Sequence, residues 1–106
     1  MTIYALSSGQ GISGIAVVRI SGKETSKAIE LLTGKSLPKP RVATLRNINK
    51  INTSELIDQG IILWFPGPES YTGEDMAEIH VHGSKAVIDA LHTSISKIEN
   101  CRLAGP

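Results

Sequence analysis

The chain is poor in the residues that staple or anchor proteins. It has one cysteine in 106 residues, Cys101, which excludes an internal disulfide and fits a reducing compartment. Aromatic residues are scarce: one tryptophan, two tyrosines and one phenylalanine. No apolar run approaches the roughly 18 residues of a membrane span. The start, Met1-Thr2-Ile3-Tyr4, lacks the basic region and long apolar stretch of a secretion signal, so a cytoplasmic protein is expected. Charge of one sign is also missing. With 11 basic against 10 acidic residues, the chain has no basic footprint with which to grip nucleic acid, and direct nucleic-acid binding is not expected.

What remains is a sequence that is 41% hydrophobic and sized for one small domain. Domains of this size bury only about two-thirds of the surface their unfolded chains expose, so self-association is a natural expectation. Thr2 to Leu6 and Ile15 to Ile20 read as strands joined by a glycine-rich loop. Glu24 to Leu32 is a short amphipathic helix, with Ala28, Ile29, Leu31 and Leu32 on one side and Gly34 as its stop. Pro38 and Pro40 break the segment that follows. Arg41 to Ile48 and Leu56 to Phe65 are strand candidates around a polar turn through Asn49 and Asn52-Thr53-Ser54. A rigid loop from Pro66 to Gly73 then leads to an alternating strand, Met76 to His82, and a helical pattern from Lys85 to Ile98. Consecutive strands with short connections predict an α+β fold with a mixed, largely antiparallel sheet and flanking helices. The last residues, Arg102 to Pro106, are not a natural domain finish.

Two phosphate-loop patterns point the wrong way. Gly9-Gln10-Gly11-Ile12-Ser13-Gly14 matches G-x-G-x-x-G after a strand, but a dinucleotide site needs a helix N-terminus next. The following Ile-Ala-Val-Val-Arg-Ile favours a strand, so the glycines read as a turn. Gly34-Lys35-Ser36 ends like a Walker A loop, yet Ile29 stands where its first glycine belongs and the triplet closes a helix.

The residues with chemical capacity lie elsewhere. Alternation puts Met76, Glu78, His80 and His82 on one strand face and Ala77, Ile79 and Val81 on the other. Two imidazoles and a carboxylate could ligate zinc or iron, or could wall a polar pocket. Arg19 interrupts an apolar strand and needs either a salt bridge to a neighbour such as Glu78 or a ligand carbonyl or carboxylate. Glu78 can accept two adjacent N–H donors, the pattern offered by the pyrimidine edge of a pterin or by an amidine. The segment from Trp64 to Asp75, containing Tyr71, collects most of the aromatic residues. It can serve as a ring-stacking wall, as a protein interface, or as turn structure with a buried tryptophan. Glu74 and Asp75 read as turn acids. No serine has a placed base, and Cys101 has no evident activator.

Taken in order, several segments resemble the amino-terminal domain of the MnmE (TrmE) family of tRNA-modifying GTPases. They are Ile3-Tyr4-Ala5-Leu6, Gly14-Ile15-Ala16-Val17-Val18-Arg19-Ile20-Ser21-Gly22, Leu37-Pro38-Lys39-Pro40-Arg41, Asp58-Gln59-Gly60, Leu63-Trp64-Phe65-Pro66-Gly67-Pro68, Tyr71-Thr72-Gly73-Glu74-Asp75 and Glu78-Ile79-His80-Val81-His82-Gly83. The resemblance implies a sheet like that of the folate-binding domains of glycine-cleavage T-protein and a homodimer formed through this domain. It also implies a bound 5-formyl- or 5,10-methylene-tetrahydrofolate, held by Arg19 and Glu78, with His80, His82 and Tyr71 as further candidates and no metal. On this reading residues 1–106 are the folate-binding and dimerisation domain, cut near its C-terminal boundary and not catalytic alone. GTP, magnesium and potassium would belong to a G domain outside it. The intact protein would act with the flavoprotein MnmG on the wobble uridine of certain tRNAs. Two departures are local: Ile12 stands where members often have arginine, and Ser84-Lys85 where a second glycine and a proline are common. The family continues past Pro106 to a lysine that joins the folate site, which implies an incomplete pocket here.

Overall fold

A computed structural model describes residues 1–7 and 14–105. The elements run β1 (Thr2–Leu6), β2 (Ile15–Ser21), α1 (Thr25–Thr33), β3 (Thr44–Asn49), β4 (Leu56–Phe65), β5 (Met76–His82), α2 (Lys85–Ser96) and β6 (Cys101–Leu103). The strands form one six-stranded sheet in the order β3-β4-β5-β2-β1-β6. Every neighbouring pair is antiparallel except β1 and β6, which run parallel. The α+β expectation, a mixed and largely antiparallel sheet with helices, therefore holds.

Strand alternation sorts the sheet into two faces. Ala16, Val18 and Ile20 of β2 and Ala77, Ile79 and Val81 of β5 join Ile48, Ile62 and Trp64 in a single buried core. Both helices supply the other half of that core, α1 through Ala28, Ile29 and Leu32 and α2 through Leu91 and Ile95. Full burial of such side chains contributes roughly 1.5–3 kcal/mol each, which holds two short helices that would not persist alone. The helices thus lie on one side of the sheet, and neither covers the opposite face. That face carries Ile3, Ile15, Arg19, Leu45, Glu78, His80 and His82, at positions that are exposed or half-buried.

Local chemistry explains the element ends. Gly34 closes α1 in the left-handed conformation, φ 66°, where only glycine is free of strain, and its N–H donates to the Glu30 carbonyl. The Gly34-Lys35-Ser36 triplet is therefore a helix stop, as its sequence order implied. Ser84 caps α2 by accepting from the Val87 N–H at 3.2 Å. The first glycine-rich pattern, with Ile12 in it, lies outside the described residues except for Gly14, but the segment after it is β2 and not a helix.

Beyond one-residue shifts at the ends of β2, α1 and β3, two boundaries and one element differ from expectation. β3 starts at Thr44 instead of Arg41, because Arg41 is itself left-handed (φ 62°) and turns its N–H to the Trp64 carbonyl. α2 ends at Ser96, two residues short, although Ile98 still packs into the core. β6 was not expected at all; Cys101–Leu103, which includes the first two residues of the Arg102–Pro106 end, adds a parallel edge to β1.

Candidate functional site

The open sheet face holds the site. β2 and β5 are neighbours in a register that sets Arg19 directly opposite Glu78. Their side chains meet, with Arg19 Nε donating to Glu78 Oε2 at 3.0 Å. The second carboxylate oxygen, Oε1, lies 2.9 Å from His80 Nε2. Glu78 is thus held from both sides, by the strand opposite and by the next same-face residue on its own strand. Burial pushes its carboxyl up, but the hydrogen bond to His80 and the ion pair with Arg19 outweigh this and keep it below the ordinary carboxylate range. The group is a fixed anion at neutral pH.

Arg19 is only partly consumed by this pair. Its side chain is 51% exposed against 19% for Glu78, and its terminal amino groups make no other hydrogen bond among the described residues. Arg19, Phe65, Tyr71, Met76 and Glu78 line a cavity of about 370 Å³, which offers a planar donor, a carboxylate and an aromatic wall together. A second cavity of about 200 Å³ shares Arg19, Tyr71 and Met76 and extends over β1 to Ile3, Ala5, Ser21 and Thr72.

The loop from β4 to β5 forms the rim. Gly67 N–H donates to Asp75 Oδ1 at 2.9 Å, Ser21 and Thr72 share a hydroxyl hydrogen bond at 2.9 Å, and the Arg41 guanidinium bonds the Glu69 carbonyl. Asp75 and Glu74 are structural acids of this loop, as expected of turn residues. Trp64 points to the helix side and is 6% exposed, so of the two adjacent aromatics only Phe65 reaches the cavity. Tyr71 stands 95% exposed above both cavities.

The histidines divide. His80 reaches the site through Glu78, whereas His82 turns to Asp58, with Nδ1 2.9 Å from Oδ2 and its backbone N–H donating to the same oxygen at 2.8 Å. Burial would raise the Asp58 carboxyl, but these contacts hold it low. His82, Asp58 and Glu78 do not converge. Among the described residues no three histidine, cysteine, aspartate or glutamate side chains cluster for a metal ion. Sequence reading did not find Asp58 as the partner of His82 or Met76 as part of the wall. The first depends on the β4–β5 register, and the second on the rim loop folding back across the strand end.

Comparison with known proteins agrees along the whole chain. The family model described as "GTP-binding protein TrmE N-terminus" matches residues 2–106. The chain is 81% identical over its full length to a tRNA modification GTPase MnmE of Pelagibacter ubique, covering 24% of that protein. It is 52% identical over 97% of its length to the mitochondrial 5-taurinomethyluridine-[tRNA] synthase subunit GTPB3 of Danio rerio, covering 20% of it. A tRNA modification GTPase MnmE of Zymomonas mobilis is 48% identical over 97% of the chain, with 24% of its own length matched. The chain spans about a quarter of the length of these relatives. Since the match begins at Thr2 and runs unbroken through every element of the sheet, the chain belongs to the TrmE (MnmE) family, as its N-terminal domain.

Proposed function

We propose that this domain binds a reduced folate carrying a one-carbon unit and serves a GTPase that modifies the wobble uridine of tRNA. The observation that carries the ligand assignment is the Arg19–Glu78 pair at the floor of the 370 Å³ cavity beside Phe65. A pterin presents adjacent N–H donors, which suit a carboxylate held ionised, and a carbonyl, which suits a guanidinium with free amino groups. Phe65 and Tyr71 supply ring faces. The folate would be a 5-formyl or 5,10-methylene form. GTP with its magnesium and potassium, the flavoprotein partner and the tRNA would engage other parts of a longer protein. The domain also self-associates in this proposal, through the sheet face that the helices leave open.

Titration with 5-formyltetrahydrofolate tests the assignment. Binding to the wild-type chain should weaken roughly ten- to a hundredfold in Arg19→Ala and in Glu78→Gln, the usual cost of losing a hydrogen bond to a charged group. A second reading, a dimerisation scaffold without ligand, draws on the fact that Arg19 and Glu78 already form an ion pair with each other. Absence of binding both to the wild-type chain and to a longer form of the protein would favour it.

A further inference from the structure

The cavity over Glu78 and the cavity over β1 meet at Arg19, Tyr71 and Met76. They differ in character. The first contains the anion Glu78; the second is lined by Ile3, Tyr4 and Ala5 of β1, and no acid is among its lining residues. Following the same sheet face outward from Glu78, the strands are β5, β2, β1 and β6. Ile3 pairs in register with Arg102 of β6, so Arg102 takes a position on the open face one strand beyond the apolar lobe. Arg102 is exposed and has no ion pair among the described residues. Arg102 lies three strands across and two residues along the sheet from Glu78, roughly 16 Å at the usual strand spacing and rise. Donor-and-anion chemistry, a flat apolar stretch and a terminal cation therefore follow one another along a single path.

We propose that the ligand lies across the sheet in two parts, its pterin in the lobe of Arg19 and Glu78 and its aryl-amide tail over β1, with the tail carboxylates directed to Arg102. This rests on the folate reading above and specifies which residues select a full folate over a bare pterin. Tyr71, exposed over the junction, covers the point where the ring joins the tail.

The test compares 5-formyltetrahydrofolate with 6-methyltetrahydropterin, which has no aryl-glutamate tail, by calorimetric titration of the wild-type chain and variants. Arg102→Ala should weaken folate roughly tenfold and leave the pterin unchanged, and Arg102→Lys should recover most of the loss. Ile3→Asp, which places an anion in the apolar lobe, should likewise penalise folate alone. Equal affinities for folate in all four proteins, or equal losses for folate and pterin, would overturn the two-part placement while leaving the pterin site in force. If neither the wild-type chain nor a longer form of the protein binds either compound, the folate reading fails and this inference falls with it.

Discussion

His92 is a polar group with little polar company. It sits on α2 with its ring edge-on to Tyr4, centroids 5.4 Å apart, and its buried Nε2 has no hydrogen-bond partner among the described residues. Burial pushes its pKa below the ordinary 6.5, against an opposing pull from Asp89. The sign follows directly. Below pH 6.5 the unfolded chain takes up a proton that the folded chain resists, so stability is complete above that value and falls as the pH drops through it, by at most about 1.4 kcal/mol per pH unit. Urea melts between pH 5 and 7.5 should show this slope, and His92→Phe, which keeps the ring on Tyr4, should flatten it. Glu78 and Asp58, both held low, add a further loss at more acidic pH, as each carboxylate is protonated on passing through its folded-state value. Arg19 and Glu78 were legible in the sequence as residues in need of partners, and their pairing as one of two readings for Arg19, because an arginine on an otherwise apolar strand demands an anion or a carbonyl. His92 was not, because a histidine among helical residues gives no sign of which way it faces.

At the level of elements, β2 and β5 carry the Arg19–Glu78 pair, β4 flanks β5, and one residue lets β4 and β5 approach. A side chain at Gly60 would place its Cβ 2.3 Å from the His80 carbonyl oxygen and 3.1 Å from Ile48 Cδ1. Both the backbone and the core would have to move. Gly60→Ala should therefore cost about 1–3 kcal/mol, lowering the melting temperature by several degrees in a domain of this size. The displaced strand bears His80, so the variant should also bind 5-formyltetrahydrofolate more weakly than its stability alone accounts for; normal melting together with normal binding would contradict this. The requirement was written in Asp58-Gln59-Gly60, but a strand glycine signals close approach without naming what approaches. The same limit applies to β3. Its β-branched and apolar residues announced a strand, whereas the turn at Arg41 that delays it depends on a hydrogen bond to Trp64, 23 residues later in the chain.

Over the whole molecule, the consequence of both helices lying on one side is an open sheet face with Ile15 and Leu45 more than half exposed. Exposed apolar residues spread over a sheet are surface to be covered, and a second copy of the chain is the proposed cover. Light scattering should give twice the chain mass for the wild type and the single mass for Leu45→Asp, a substitution outside the core; an unchanged mass in the variant would place the contact elsewhere. Among the described residues no helix is long and apolar enough to cross a membrane. The sequence by itself determined the existence and order of β1 to β5 and the two helices, which face of each is apolar, and that the glycine patterns do not open helices, because all of these follow from local sterics and periodicity. Only the tertiary structure decided the strand order, the addition of β6, the separation of His82 from His80, and the meeting of two cavities at Arg19. Those depend on register between segments distant in the chain, where the free energy comes from packing that no short stretch of sequence contains.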